Sequence, residues 1–194
     1  MKKSSIVFFF IVLALAGCKG QSGTKSLGPK TTEILQDSFS GEARANRKYK
    51  AFAKIADKED YEGVAKLYRA AAAAEGIHAK NYMKLLGVLG TTKENLESSV
   101  EGEDYEFTTM YPKFIAAAKK EGNLDAAQKL EWAFKVEQKH YNYFKQDLAE
   151  IKQGKKPAEV DYYVCKVCGN TLAQKPTGNC DVCGASKDQF FEVD

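Results

Sequence analysis

The chain has 194 residues, 44% hydrophobic and 28% charged, which is room for one medium domain and one small one. Its net charge is +3 with the signs interspersed. No dense basic face is written into the sequence, so there is no reason to expect nucleic acid as a partner.

The N-terminus reads as a processing segment. Lys2 and Lys3 precede an apolar run from Ile6 to Ala16, followed by Gly17 and Cys18. A charged start, a short apolar stretch and small residues before the cut describe a signal peptide over 1–17. The run is too short to cross a bilayer as a stable helix. Leu15-Ala16-Gly17-Cys18 resembles a bacterial lipobox. That resemblance implies a lipid on Cys18, export, and a membrane-anchored protein on the periplasmic or outer face. Loss of Lys2 and Lys3 with the leader lowers the net charge from +3 to +1. Residues 18–30, rich in Gly, Ser and Lys, read as a flexible tether.

Residues 31–153 read as a helical domain. A first stripe at spacings of three and four holds Leu35, Phe39, Glu42, Ala45, Tyr49, Phe52 and Ala56. A second holds Val64, Leu67, Tyr68, Ala71, Glu75, His78, Tyr82, Leu85 and Leu89, and Gly90 is expected to stop it. Thr91 and Glu94 can form a capping box for a short turn, and 90–101 reads as a connection. The third stripe is Glu103, Glu106, Phe107, Met110, Phe114 and Ala117, with Pro112 expected to kink it by removing a bond to the Thr108 carbonyl. The fourth runs through Leu130, Phe134, Glu137, His140, Phe144 and Leu148 to Ile151. Four amphipathic helices predict a four-helix bundle.

The bundle carries polar groups where apolar ones are expected. Both histidines of the chain follow a Glu by three residues, in Glu75-Gly-Ile-His78 and Glu137-Gln-Lys-His140. On a helix, positions i and i+3 share a face, so each frame can aim a carboxylate and an imidazole at one point. Glu42 precedes Glu75 by 33 residues and Glu103 precedes Glu137 by 34, a weak internal repeat. Buried carboxylates without partners are costly. Four of them with two imidazoles, and Glu106 as a fifth, match the ferritin-like pattern of two metal ions held by a Glu from each of two helices and an ExxH from the other two. Oxygen-rich donors with some imidazole suit iron or manganese.

The last part, 161–194, follows a linker at 154–160 and carries Cys165-Lys-Val-Cys168 and Cys180-Asp-Val-Cys183. Two close cysteine pairs form a four-thiolate tetrahedral site. Iron and zinc both fit it, and in an oxidising compartment two disulfides are a third option.

These segments together resemble rubrerythrin over 31–194. The resemblance rests on Gly41-Glu42 through Tyr49, Glu75 to His78, Gly102-Glu103 through Tyr111-Pro112, Glu137 to His140, and the cysteine pairs with Tyr163, Gly169, Gly184 and Phe190-Phe191. It implies a ferritin-like bundle with a rubredoxin-like tail. Glu42 is implied as a terminal ligand of one iron, Glu103 and His140 of the other, with Glu75 and Glu137 bridging. Glu106 and His78 are implied to exchange on one iron as the oxidation state changes. Tyr49 and Tyr111 are implied to hydrogen-bond ligand carboxylates. The implied cofactors are two irons in the bundle and one at the cysteines, with zinc as the alternative there. The implied activity is reduction of hydrogen peroxide, with electrons entering at the four-cysteine centre from an unidentified donor, in a head-to-tail homodimer. An iron-sequestering or ferroxidase protein with a structural zinc ribbon is the competing expectation. Lys166 and Asp181 depart from the family pattern, in which Pro is common after the first and third cysteines.

Overall fold

The computed structural model describes residues 27–193. The expected leader, the lipobox and Cys18 lie outside the described residues. Helix α1 spans Pro29–Lys58, with its proline in the first turn, where no amide proton is needed. It turns through Asp60, at φ 60°, into α2, Glu62–Leu85. Arg69 clamps this corner with two hydrogen bonds to Asp57, at 3.0 and 2.8 Å. Alanines line the seam: Ala53 and Ala56 on α1, and Ala65, Ala72 and Ala79 on α2, are all buried. Small side chains let the two backbones approach closely, and Tyr49, Phe52 and Tyr68 stack beside them.

α2 ends earlier than its stripe predicts. The C′ residue is Gly87, with Val88 N–H bonded to Met83 O and Gly87 N–H to Lys84 O. Gly90 instead exchanges two hydrogen bonds with the Asn95 side chain. The capping box at Thr91 and Glu94 forms, but it opens a 14-residue helix, α3 (Thr92–Tyr105), where the sequence reads as a connection. That stretch lacks an apolar stripe, so periodicity alone misses it; the cap is its only local signal.

A π turn, Glu106–Met110, follows α3 and leads into α4, Tyr111–Lys120. The amide of Tyr111 donates to the Glu106 carbonyl five residues back. The disruption expected at Pro112 therefore takes the form of a widened turn within a continuing helix. α5 covers Leu124–Lys152, capped by the Asn123 side chain on the Ala126 amide. It packs on α3 and α4. Lys119–Glu131 (2.7 Å) and Lys152–Glu97 (3.0 Å) pair across those seams.

The C-terminal unit is a three-stranded antiparallel sheet, β1 (Tyr162–Cys165), β2 (Thr171–Leu172) and β3 (Phe190–Val193), with β1 central. Tyr163 pairs with Leu172 on one side and Glu192 on the other. The mainly α class with a small C-terminal metal domain is thus the expected one. Within one chain the helices form two hairpins, α1–α2 and α3–α4–α5, that do not pack on each other. Among the described residues no hydrogen bond, ion pair or aromatic contact joins them.

Candidate metal centres

The first hairpin gathers Glu42 from α1 with Glu75 and His78 from α2. His78 Nδ1 lies 2.9 Å from Glu75 Oε2 and 3.9 Å from Glu42 Oε1. The neighbouring Glu75 carboxyl, and then burial, hold Glu42 above the usual carboxylate range. Asn46 supports this arrangement by donating to the Ala72 carbonyl, one turn before Glu75. Gly76 makes room for it, since a Cβ there would lie 3.0 Å from Asn46 Nδ2.

The second hairpin repeats the geometry. Glu103 on α3 converges with Glu137 and His140 on α5. His140 Nδ1 is 2.7 Å from Glu137 Oε2 and 4.0 Å from Glu103 Oε1. Burial, and then repulsion from Glu137, pushes Glu103 up to about 7. The hydrogen bond to Glu137 raises His140. Glu106, in the π turn, lies outside the convergent trio, yet burial and then the charge of Glu137 raise it as well. Tyr111 is raised by burial and then by Glu106, Glu137 and Glu103, which places its phenol beside this acidic cluster.

The expected ligands are therefore brought together in two sets of three, with the two sets on separate hairpins. Neither Tyr49 nor Tyr111 hydrogen-bonds a carboxylate here. Tyr49 stacks on Tyr68 at 5.9 Å between ring centroids.

The four cysteines are free thiols whose sulfurs all lie within 4.8 Å of one another. Cys165–Cys183 and Cys168–Cys180 are 3.8 and 3.6 Å apart. A disulfide requires about 2.05 Å. A tetrahedral ion with metal–sulfur bonds of about 2.3 Å sets its sulfurs about 3.8 Å apart. Each pair sits on a matching turn, with Gly169 N–H on Cys165 O and Gly184 N–H on Cys180 O. Both glycines adopt positive φ, at 78° and 77°, a conformation a side chain would strain. Burial pushes the Cys180 thiol up, but the amides of Cys183 and Val182 overcome that and bring it down to about 7. Burial raises Cys168.

This cage docks on α5. Asn170, fully buried, donates to Cys180 Sγ at 3.4 Å and to Asp181 Oδ1 at 2.7 Å. Lys139 donates to Asn170 Oδ1 (2.7 Å) and Asp181 Oδ2 (2.8 Å), and that ion pair holds Asp181 below its usual range. On the next residue, His140 Nε2 lies 2.9 Å from the Thr171 hydroxyl. Tyr143 adds a long bond to the Thr171 carbonyl and an edge contact with Tyr162. Sequence reasoning missed Asn46, Lys139, Asn170 and Thr171. Their partners are distant in the chain and leave no periodic signal. Only the departure at Asp181 from the family's Pro pointed this way.

The donor sets fit metal ions. Carboxylates pushed toward neutrality are groups that a cation would let ionise, and two carboxylates with one imidazole per hairpin suit iron. The helical bundle with paired carboxylate–imidazole half-sites and a thiolate cage defines a non-haem di-metal protein of the ferritin-like class. The rubrerythrin family profile matches residues 33–148. Rubrerythrin from Clostridium perfringens is 34% identical over 87% of this chain and 97% of its own. Rubrerythrin from Porphyromonas gingivalis is 32% identical over 85% and 90%, and nigerythrin from Nitratidesulfovibrio vulgaris 32% over 86% and 88%. The solved structure of nigerythrin in its fully reduced, all-ferrous state aligns at 30% identity over 90% of this chain and 91% of that one, with a TM-score of 0.50. The chain belongs to the rubrerythrin family, whose members bind a di-iron centre and a further iron held by four cysteines.

Proposed function

We propose that this protein is a peroxidase, reducing hydrogen peroxide to water with electrons that enter at the Cys165, Cys168, Cys180 and Cys183 iron. The observation that carries this reading is the hydrogen-bonded contact between that cage and the α5 half-site, through His140 and Thr171 at 2.9 Å. A one-electron cage against a carboxylate–imidazole cluster is an arrangement for delivering electrons; iron storage has no use for it. When bound, a ferrous pair supplies the two electrons and the Lewis acidity that O–O cleavage requires.

The chain's own groups manage protons. Two protons and two electrons turn one peroxide into two waters. Glu106, a carboxyl raised by burial and then by Glu137, is suited to give up a proton beside the cluster. Tyr111, raised by burial and then by Glu106, feels the same acidic cluster but makes no bond to it. His78, half-exposed on its own hairpin, is free to change partners. The lipobox reading adds an exported protein held at a membrane by Cys18, and a donor other than a cytoplasmic nicotinamide pool.

The deciding experiment mixes the anaerobically reduced protein with peroxide and, separately, with O₂, alongside metal analysis. Faster turnover with peroxide and three irons per chain support the proposal. Faster turnover with O₂, or two irons with one zinc, would move the assignment to the ferroxidase or sequestering alternative.

A further inference from the structure

We infer that each di-metal centre is assembled from two chains, the α1–α2 hairpin of one copy closing on the α3–α4–α5 hairpin of a second. This rests on the di-metal reading above and adds which molecules supply the ligands.

Three observations lead there. The first is the division of donors: Glu42, Glu75 and His78 form one cluster and Glu103, Glu137 and His140 another, with matching geometry. Each has three protein donors for one ion, and neither has a facing set. Bridging by Glu75 and Glu137, which the family pattern implies, needs the two clusters face to face.

The second is the open apolar stripe. Leu67 is 68% exposed, and Val64, Leu85 and Leu89 are exposed too, although all four belong to the stripe that carries Glu75 and His78. Across the helical part, the buried apolar residues are five alanines on the first hairpin, and Ala127, Val136 and Leu148 on the second. Two hairpins burying so little cannot outweigh the conformational entropy of ordering them. They need a further apolar surface, and the one that also completes the ligand set is the complementary hairpin.

The third observation decides whose hairpin it is. A ferritin-like bundle joins its two halves by one long crossover. Glu75 lies ten residues before the end of α2 and Glu103 eleven residues after the start of α3. With the clusters level and α2 parallel to α3, those helix ends stand about 31 Å apart at 1.5 Å per residue. The connection is 86–91 only, and from Leu85 to Thr92 an extended chain reaches about 25 Å. It is also pinned by the Gly87 turn, the Gly90–Asn95 bonds and the capping box. The halves of one chain therefore cannot meet in that topology while α3 stays helical from Thr92. Halves of two chains can, with the short connection passing from one bundle to the other.

The test is complementation. One chain carries Glu42→Ala with His78→Ala, the other Glu137→Ala with His140→Ala. The two are co-expressed with different tags and the mixed dimer is isolated. After anaerobic loading with Fe(II), bundle-bound metal is counted by native mass spectrometry against the metal at the four cysteines, which serves as the folding control. Exchange of hairpins puts both intact halves in one bundle and both damaged halves in the other. The mixed dimer then recovers half the bundle metal of the wild-type dimer, while each variant alone recovers none. A mixed dimer with its cysteine sites filled and no bundle metal overturns the proposal, as does a wild-type monomer holding two bundle ions. A wild-type dimer that fills only its cysteine sites sinks the di-metal reading itself.

Discussion

Nε2 of His140 and the hydroxyl of Thr171 lie 2.9 Å apart, joining α5 to the second strand of the cysteine domain. Thr171 passes its own proton to the Gly169 carbonyl at 3.2 Å. Its lone pair is then the acceptor for His140 Nε2–H. That holds the ring with Nδ1 facing Glu137 Oε2 at 2.7 Å, where Nδ1 would give up its proton to an ion.

Replacing Thr171 with Val keeps the shape and removes the acceptor. Metal affinity of the bundle centre should fall by roughly 10–100-fold, the usual effect of losing a partner behind a ligand histidine. Competition with a chelator measures it, and unchanged affinity would show that His140 orients without Thr171.

The contact between Lys139, Asn170 and Asp181 should be held mainly by its buried member. The Lys139–Asp181 pair is well exposed on the aspartate side, and a pair of that kind contributes about 0–1 kcal/mol. Asn170 is fully buried with three polar partners, and removing such a group costs about 1–3 kcal/mol. Asn170→Ala should therefore speed proteolysis in the 154–160 linker more than Asp181→Ala. The reverse order would place the grip in the ion pair.

Pro112→Ala restores an amide in the first turn of α4, just beyond the π turn. The turn at Glu106–Met110 should tighten to α-helical spacing and rotate Glu106 away from Glu137. Peroxide turnover should drop while far-ultraviolet circular dichroism stays unchanged. Full turnover in this variant would separate the π turn from the proposed role of Glu106.

The α3 cap carries a pH signature. Glu94 is depressed below its ordinary 4.5, first by the Thr91 amide and then by the Thr91 hydroxyl. A carboxylate lowered on folding stabilises above its unfolded value and loses that contribution as pH falls through the lowered one. Thermal unfolding of Glu94→Gln should therefore lie below wild type at neutral pH and converge with it in acid. A gap that persists in acid would show that the charged form contributes nothing.

The residues that converge on the candidate metal centres were legible because their signal is local. Glu75 with His78, Glu137 with His140 and the two cysteine pairs are each set by spacing along one segment, and Glu42 and Glu103 follow from the helical stripe. What escaped was non-local. The stretch 92–101 has no apolar stripe, so its helix was marked only by Thr91 and Glu94. Gly87 and Gly90 look alike in sequence, and only the bonds from Val88 and Asn95 tell the helix end from the loop. The stripe through Val64 and Leu67 reads as a buried face, yet among the described residues both side chains are exposed.

Lys139 and His140 are consecutive on a continuous helix, and one grips the thiolate cage while the other faces the acidic cluster. The separation between cage and cluster is therefore set on one turn of α5, by the contacts of two neighbouring side chains. Residues 154–160 lie outside those contacts, so a change in their length should leave that separation as it is.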